Sequence, residues 1–421
     1  MRYYELLELY KKKELGEEQR RMVEQDIERH EAISEYLFEK EEEDILQGSA
    51  KIPETSEIRT KDDKKERNTE ADFTKRVNRA IRRAFLKMGA AVCAVTLVIV
   101  LLVLFVLPRA VASFYYDPGR IVGESSTGGT TNQMSLDMAV YTELAMPGTY
   151  RDNVQAEDRG YGNYDISIYQ NVSRSGEFHH VAGRIERGTL KLYDINLFNI
   201  PSSNIFGWFQ MDMDRKDTLT EQVEKGVGSF AYSPESKAQS EEYLNALDDN
   251  KQYLAFVTLD RILSYDDFIR FTEKYSERAG DIWCAPRTAE GSHMPNGRPA
   301  NLGFYVTLGQ TSMLEWDREK YPDLILRAVD ELAEWDEAEE KIKDGEYAAE
   351  HFAVMLDYMS EQDGFLRMIR QQEPEMYADA ADYIRDNGLQ VYGFACRADK
   401  ETLLELNAEE EVFGMRVEEV D

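Results

Sequence analysis

The sequence predicts a mixed α+β protein with an N-terminal helical piece, one transmembrane helix and a large α+β domain beyond that helix. Three observations support this prediction. The chain contains one long apolar run without charge, the charge balance differs sharply on the two sides of that run, and strand-like and helix-like segments alternate near the C-terminus. The first two observations divide the chain at the apolar run, and the third gives the class of the larger part.

Residues 1–46 have the apolar periodicity of two amphipathic helices, over residues 2–13 and 17–42, with Leu15 and Gly16 at the turn between them. Two helices of this size bury little surface against each other alone. Their apolar faces therefore either form a self-contained hairpin or bind a partner protein, and periodicity leaves both alternatives open. The side chains predicted to bind a partner are Leu6, Leu9, Tyr10, Met22, Ile27, Ile33 and Leu37.

Residues 47–74 lack apolar periodicity and are rich in charge, which predicts a flexible linker. The next segment, residues 75–107, joins a basic stretch to an uncharged apolar run at residues 88–107. At about 1.5 Å per residue, such a run spans the ~30 Å hydrocarbon core of a bilayer. A core helix of a soluble protein would keep a polar stripe, and a signal peptide would begin much nearer the N-terminus. We therefore predict a transmembrane helix.

The flanks of the apolar run predict its orientation. Six Lys and Arg residues lie between positions 75 and 87, whereas only Arg109 and Arg120 lie in the twenty residues after the run. Because positive charge is retained on the cytoplasmic side, the N-terminus is expected in the cytoplasm and residues 108–421 outside. Phe114, Tyr115 and Tyr116 are expected at the outer membrane interface. The prediction is a single-pass protein of the cell membrane that has the lipid bilayer as a partner.

The part after the apolar run is strongly acidic. Residues 1–107 hold 20 Lys and Arg against 22 Asp and Glu, whereas residues 108–421 hold 30 against 59. Binding of nucleic acid requires clustered positive charge to meet the phosphates. We therefore expect no nucleic-acid partner.

Within the outer part, residues 108–245 are predicted to be β-rich and residues 246–421 to be α+β. In the first part, residues 165–169 and 189–195 alternate as strands do, and residues 186–188 suit a hairpin turn. In the second part, the spacing of strands and helices is compatible with a ferredoxin-like arrangement. The predicted strands are residues 252–259, 281–286, 303–308, 389–395 and 415–420, and the predicted helices are 264–275, 322–335, 347–359, 377–387 and 400–406. Ser264 is the predicted N-cap of the first of these helices, with Asp267 in the capping-box position.

The sequence lacks the motifs of common catalytic and cofactor sites. It contains no phosphate-binding loop, nucleophile elbow, H-E-x-x-H pair or dinucleotide fingerprint. The many acidic pairs follow from the overall acidity of the chain. We therefore predict that the protein is not an enzyme and has no catalytic residue, no cofactor and no metal site.

The run at residues 3–38, YYELLELYKKKELGEEQRRMVEQDIERHEAISEYLF, resembles the N-terminal domain of bacterial membrane-anchored anti-sigma factors. The stretches at residues 75–87, 114–120, 253–271 and 389–406 resemble a sigma-factor-regulator family. The resemblance implies a transmembrane anti-sigma factor, which sequesters an extracytoplasmic-function sigma factor inside and responds to an envelope signal outside. The alternative is a single-pass receptor or scaffold that binds an unknown extracytoplasmic ligand and has a different cytoplasmic partner.

Zinc-binding members of the resembled family carry the pattern H-x3-C-x2-C near the end of the second helix. The corresponding positions here are Asp26, His30 and Ile33. Because two of these three residues are not the usual ligands, the comparison implies an anti-sigma domain without zinc.

Cys284 and Cys396 both lie in predicted strands on the outer, oxidising side of the membrane, where disulfides persist. A disulfide requires their Cα atoms to lie within roughly 7 Å of each other. The alternative is a pair of buried free thiols. We predict a disulfide between Cys284 and Cys396.

Overall fold

The computed structural model describes residues 16–17, 20–23, 62–126, 128–172, 177–193, 209, 218–225, 237–290, 301–329, 332–370 and 374–419. The chain divides into two compact units, Met1–Ala91 and Val92–Asp421. Of the predicted N-terminal helices, only residues 17 and 20–23 lie within the described part, where they are helical.

A long helix contains the predicted apolar run. Helix α1, Asp62–Leu101, continues into a five-residue π-helical segment, Leu102–Val106, and then into helix α2, Leu107–Ala112. The stretch Ile81–Ala112, here called the apolar helix, is long and apolar enough to cross a membrane, and none of its most apolar window is buried. A core helix of a soluble protein would be mostly buried. The apolar helix is therefore a candidate membrane-spanning helix.

Helix α1 begins at Asp62, inside the predicted flexible linker, so that prediction is wrong for residues 62–74. This stretch is rich in Lys, Glu and Arg, which have high helix propensity, and it runs without a break into the apolar helix. A helix that is already nucleated extends at low cost through such residues.

The π-helical segment precedes Pro108, which is the second residue of α2. The backbone N–H of Leu107 donates to the carbonyl of Leu102, five residues earlier. The carbonyl of Val103 would accept from Leu107 in an α-helix or from Pro108 in a π-helix. Leu107 is already used and proline has no N–H, so the Val103 carbonyl has no donor from the helix backbone.

After the apolar helix, strands β1 (Ile121–Glu124) and β2 (Thr130–Asn132) form a small antiparallel ribbon. Helix α3, Gln133–Ala145, follows, and every one of its residues is buried. The sequence predicts a β-rich part over residues 108–245, so α3 corrects that prediction. A helix that is buried on all sides has no polar stripe, and its sequence lacks the periodicity by which helices are recognised.

The next four strands form an antiparallel meander in the order β3-β4-β5-β6. The predicted hairpin turn at residues 186–188 is confirmed. Glu186 pairs with Thr189, and both Arg187 and Gly188 have positive φ, as a type I′ turn requires. The strands are β3 Thr149–Gly160, β4 Asn163–Val172, β5 Glu177–Glu186 and β6 Thr189–Leu192.

The remaining elements are helices and strands. The first two are helices within the part predicted to be β-rich, and the others lie in residues 246–421, where a mixture of strands and helices is predicted. In chain order, the elements are α4 Leu219–Lys225, α5 Lys237–Asn245, β7 Gln252–Ser264, α6 Tyr265–Glu273, β8 Gly280–Pro286, β9 Phe304–Tyr305, α7 Leu332–Lys341, α8 Gly345–Ser360, α9 Asp363–Met368, α10 Pro374–Asn387, β10 Gln390–Asp399, α11 Lys400–Ala408 and β11 Val412–Glu419. The N-cap of α6 is confirmed, since Ser264 accepts from the backbone N–H of Asp267.

Five of these strands form an antiparallel sheet in the order β11-β7-β10-β8-β9. Strand β10 lies between β7 and β8, which are joined through α6. The helix predicted at residues 322–335 is wrong, because a regular helix begins only at Leu332. Asp323 has a positive φ of 50°, which a right-handed helix does not accommodate, and the chain continues from there through turns and bends.

The hydrophobic core of the unit Val92–Asp421 draws on both predicted parts of the outer domain. One cluster contains Met138 of α3, Ile168 of β4, Phe268 of α6, Phe352 of α8 and Phe394 of β10. The helical and sheet elements thus share one core rather than packing separately.

Cys284 and Cys396 are free thiols and both are buried, so the predicted disulfide is absent from the structure. The cysteines do lie on neighbouring strands, but Cys284 is paired with Phe394, two residues before Cys396. They are therefore diagonal neighbours, whose Cα atoms are typically about 7–8 Å apart. That separation exceeds the Cα–Cα distance that a disulfide spans. The alternative prediction, a pair of buried free thiols, therefore applies to Cys284 and Cys396.

Candidate functional site at the end of the apolar helix

A polar pocket with a volume of about 590 Å³ opens beside the last turn of the apolar helix. One wall is the helix end, a second is the chain that follows it, and the others come from β3, β4, α3 and the residue before α9. We call it the helix-end pocket. Its lining residues are Pro108, Arg109, Ala112, Ser113, Tyr115, Tyr116, Asp117, Arg120, Gln133, Asp158, Tyr164 and Gln362.

The turn between β3 and β4 contacts the apolar helix below this pocket. Tyr161 lies in the turn between Gly160 and Gly162, and all three residues have positive φ. The Tyr161 hydroxyl donates a hydrogen bond to the Val103 carbonyl at 3.2 Å. This is the carbonyl that the π-helical segment and Pro108 leave without a backbone donor. The sheet of strands β3 to β6 is thereby tied to the apolar helix at its irregular turn.

Behind the pocket, the buried carboxylate of Asp137 in α3 organises several of the lining groups. It accepts hydrogen bonds from the hydroxyls of Tyr116 at 2.6 Å and Tyr358 at 2.5 Å, and from the side-chain amide of Gln133 at 2.6 Å. Gln133 in turn accepts from the guanidinium of Arg120. Asp137 therefore fixes the positions of Tyr116 and Gln133, and through Gln133 that of Arg120.

Two opposing effects, burial and hydrogen bonding, set the pKa of Asp137. Burial raises its pKa from 3.8 to about 6, although the hydrogen bonds from Tyr116, Tyr358 and Gln133 favour the carboxylate. Burial, followed by the charge of Asp137, also raises the pKa of Tyr116. The tyrosine therefore stays protonated and remains a donor.

The charged groups that line the pocket are two arginines and two aspartates. Within the part of the chain that the structure describes, neither Arg109 nor Arg120 forms an ion pair with a carboxylate. Asp117 and Asp158 accept from the backbone N–H groups of Gly119 and Gly160, at 3.0 and 2.7 Å. The pocket is therefore lined by two cationic and two anionic side chains, and none of these four forms an ion pair with another.

A second polar cluster lies in the core. The Arg327 side chain is 2.8 Å from Asp152 and 3.8 Å from Glu143, and Nε2 of His351 is 4.0 Å from Glu143. Burial raises the pKa of Glu143 to about 7 and lowers that of His351 to about 4. Oε2 of Glu143, Nε of Arg327 and Nε2 of His351 have no hydrogen-bond partner. Because Arg327, Glu143 and His351 are inaccessible, the cluster joins α3, β3 and α8 rather than facing a ligand.

The structure describes few of the residues for which the sequence predicts a function. Of the predicted partner-binding side chains, Met22 is 58% exposed, and the other six lie outside the described residues. Asp26, His30 and Ile33 also lie outside them. In the part that is described, no group of three or more His, Cys, Asp and Glu residues is placed to hold a metal ion.

Sequence reasoning missed the pocket and Asp137. One acidic residue among 81 Asp and Glu gives no signal of its own. The available signal was the local composition after the apolar run, where Arg109, Tyr115, Tyr116 and Arg120 lie close together. These residues were interpreted separately, as flanking charge and as interface aromatics.

Comparisons of the chain with protein-family models, with curated proteins and with solved structures found no match. The function is therefore argued from the residues and the geometry.

Proposed function

We propose that the protein is a transmembrane regulator whose N-terminal helices sequester an extracytoplasmic-function sigma factor in the cytoplasm and whose outer domain responds to an envelope signal. The apolar helix would cross the membrane once. The six cations before it and the two after it support an N-terminus inside. The resemblance of residues 3–38 to anti-sigma domains supports the choice of a sigma factor as the cytoplasmic partner.

The outer domain, in this proposal, contains a ferredoxin-like sheet. Strands β7 and β8 with α6 form one βαβ half, and β10 and β11 with α11 form the other. The antiparallel order β11-β7-β10-β8 interleaves these halves, which supports the split arrangement. Helices α7 to α10 are inserted between the halves. Such a fold carries many functions, so the argument for signalling depends on the site.

The hydrogen bond between Tyr161 and Val103 is the observation that carries the proposal. It ties the outer sheet to the apolar helix at a turn whose hydrogen bonding is already irregular. π-helical turns within α-helices are frequent at functional sites. A change in the outer domain would therefore reach the apolar helix through the β3–β4 turn and the walls of the helix-end pocket. A domain that only filled the extracytoplasmic space would need no such contact.

The proposal is tested by co-purification of the full-length chain, in detergent, with the extracytoplasmic-function sigma factors of its host. Leu9→Asp with Ile27→Asp should abolish the association, because two charges would enter the predicted apolar face. Lys12→Asp with Arg21→Asp places the same two carboxylates on the polar faces and should leave the association intact. Association that survives the first pair would contradict the assigned face.

The alternative receptor or scaffold differs only in its cytoplasmic partner. If wild-type chain from membranes associates with no sigma factor, the sigma-factor part of the proposal is wrong. Orientation is tested separately with a membrane-impermeant thiol reagent. It should label Ser126→Cys, which is exposed after the apolar helix, and spare Ser56→Cys. The reverse pattern would overturn the whole arrangement.

A further inference from the structure

The helix-end pocket lies at the depth of lipid headgroups if the apolar helix crosses a bilayer. The uncharged run ends at Leu107, and Pro108, Arg109 and Ala112 line the pocket. At 1.5 Å per residue, these positions lie about 2 to 8 Å beyond the end of the run. The headgroup layer on each side of the hydrocarbon core is about 5 to 8 Å thick. The pocket and the headgroups therefore occupy the same layer.

The two arginines of the pocket suit a phosphate group. Residues 108–421 hold almost twice as many carboxylates as cations, and other arginines there, such as Arg184, pair with carboxylates. Arg109 and Arg120 form no such pair in the described part of the chain. Arg120 is held in place by Gln133, which Asp137 fixes from behind. Arg120 also interacts electrostatically with Asp137, but the hydrogen bond given for its guanidinium goes to the neutral Gln133. A guanidinium held in position is a strong binder of phosphate oxygens.

The two aspartates of the pocket suit an ammonium group. Asp117 and Asp158 each use an oxygen to accept from a backbone N–H, which fixes the carboxylate while leaving its charge unneutralised. The rings of Tyr115 and Tyr164 also line the pocket, and aromatic faces attract cations. Two positive and two negative groups give a site with no net charge, which matches a ligand that carries one charge of each sign.

We propose that the helix-end pocket binds the zwitterionic headgroup of a phospholipid with a free amine, of the phosphoethanolamine type, from the leaflet around the end of the apolar helix. The phosphate would lie against Arg109 and Arg120, and the ammonium against Asp117 and Asp158. The volume of about 590 Å³ is within the usual range for small-molecule sites. This inference rests on the membrane placement in the proposed function and is independent of the sigma factor.

The test uses the full-length chain in detergent micelles and native mass spectrometry with short-chain lipids. Phosphatidylethanolamine should bind at least tenfold more tightly than phosphatidylcholine, whose methylated amine cannot donate hydrogen bonds, or phosphatidylglycerol, which has no amine. Arg109→Gln with Arg120→Gln should weaken its binding at least tenfold. Arg184→Gln, which breaks an exposed ion pair outside the pocket, is the matched control and should change nothing. Thermal denaturation of each variant confirms that it is folded.

Asp158→Asn keeps the oxygen that accepts from Gly160 and removes only the charge. It should weaken the binding of phosphatidylethanolamine more than that of phosphatidylcholine, because both lipids carry a cation but only the primary ammonium donates hydrogen bonds to a carboxylate. Soluble phosphoethanolamine distinguishes the source of the headgroup, and it should bind far more weakly than the lipid. If it binds as tightly as the lipid, the ligand is not a membrane lipid.

Two further results would overturn the inference. One is unchanged binding in the double arginine variant, and the other is equal binding of the three lipids to the wild type. Failure of the proposed function looks different. It would appear as extraction of the chain from membranes by alkaline carbonate, or as loss of sigma-factor co-purification while the lipid selectivity persists.

Discussion

One guanidinium nitrogen of Arg327 lies 2.8 Å from a carboxylate oxygen of Asp152, and the Arg327 side chain is only 2% exposed. The same guanidinium lies over the ring of Tyr150 and near the buried Glu143. Burial alone would lower the pKa of Arg327, but Asp152 and Glu143 outweigh burial and raise it. This arginine therefore stays charged inside the domain and compensates the charges of Asp152 and Glu143.

Arg327→Met should destabilise the domain that follows the apolar helix by about 3 kcal/mol or more, because it leaves Glu143 and Asp152 without their cation while preserving much of the side-chain volume. Arg385→Met removes a partly exposed arginine that pairs with Asp357 and should cost less than about 1 kcal/mol. Urea denaturation of the full-length chain in detergent measures both. Equal losses would show that burial of the Arg327 ion pairs has no special importance.

Asp137 should make the stability of the domain fall as the pH rises from about 4 to about 6. Its pKa is about 6 in the folded state against 3.8 ordinarily, so in this window the folded state binds more protons than the unfolded state. Asp137→Asn removes the effect, and the wild type should lose on the order of 3 kcal/mol relative to the variant across the window. Of the groups that face Asp137, Tyr116 and Tyr358 have pKa values that burial raises well above their usual range, so they do not titrate in this window, and Gln133 carries no titratable proton. Parallel pH profiles for the two proteins would refute the prediction.

His351 should have the opposite effect on the pH dependence of stability. Burial lowers its pKa to about 4 from 6.5, so the unfolded state binds more protons between these values, and stability rises with pH. Relative to His351→Asn, the wild type should gain stability between about pH 4 and pH 6.5 and remain level above that range. Denaturant titrations at several pH values test this, and a wild type that loses stability relative to the variant would contradict the burial of a neutral imidazole.

The thiols of Cys284 and Cys396 should be unreactive in the folded protein. Burial raises the pKa of Cys284 well above its usual value and that of Cys396 to about 12, so neither is a thiolate at neutral pH. In a Cys93→Ser background, iodoacetamide should modify neither cysteine until denaturant is added, and then both. Intact mass should not change on reduction. A mass change on reduction would show that the two cysteines form a disulfide. Resistance to iodoacetamide that persists in denaturant until reduction would show the same.

Tyr161→Phe should destabilise the domain by about 1 kcal/mol, the usual net contribution of one hydrogen bond, because the Val103 carbonyl would lose its donor. Pro108→Ala restores a backbone N–H that can reach this carbonyl or shift the turn towards α-helical register. In the Pro108→Ala background, Tyr161→Phe should therefore cost less. A double-mutant cycle in detergent measures the coupling energy between Tyr161 and Pro108. Additive effects would contradict the prediction, because the Tyr161 hydrogen bond would then contribute the same stability with and without Pro108.

The sequence signals that succeeded were local. Ser264 followed by Asp267 identified the start of α6, and Arg187-Gly188 identified the β5–β6 turn, because capping and turn geometry depend on a few adjacent residues. The apolar helix was found by length and composition alone. Each of these features can be read in a window of twenty residues or fewer, before anything is known about the rest of the fold.

The features that were missed depend on distant contacts. Helix α3 is buried on every side, so its sequence has no amphipathic pattern. The significance of Asp137 depends on Tyr358, which is 221 positions further along the chain. The register that separates Cys284 from Cys396 is set by the pairing of β8 with β10, more than a hundred residues apart. Periodicity and motif spacing contain no information about contacts between residues that lie so far apart in the sequence.

The position of β10 has a consequence for how the chain assembles. Strands β7 and β8 flank β10 and do not pair with each other, and about a hundred residues lie between the end of β8 and the start of β10. During synthesis, the edges of β7 and β8 that pair with β10 therefore remain unpaired until residues 390–399 have been made. Sheets built from such long-range pairings form slowly, and unpaired edges invite aggregation. Any chain that ends before β10 therefore lacks the strand on which the five-stranded sheet is assembled.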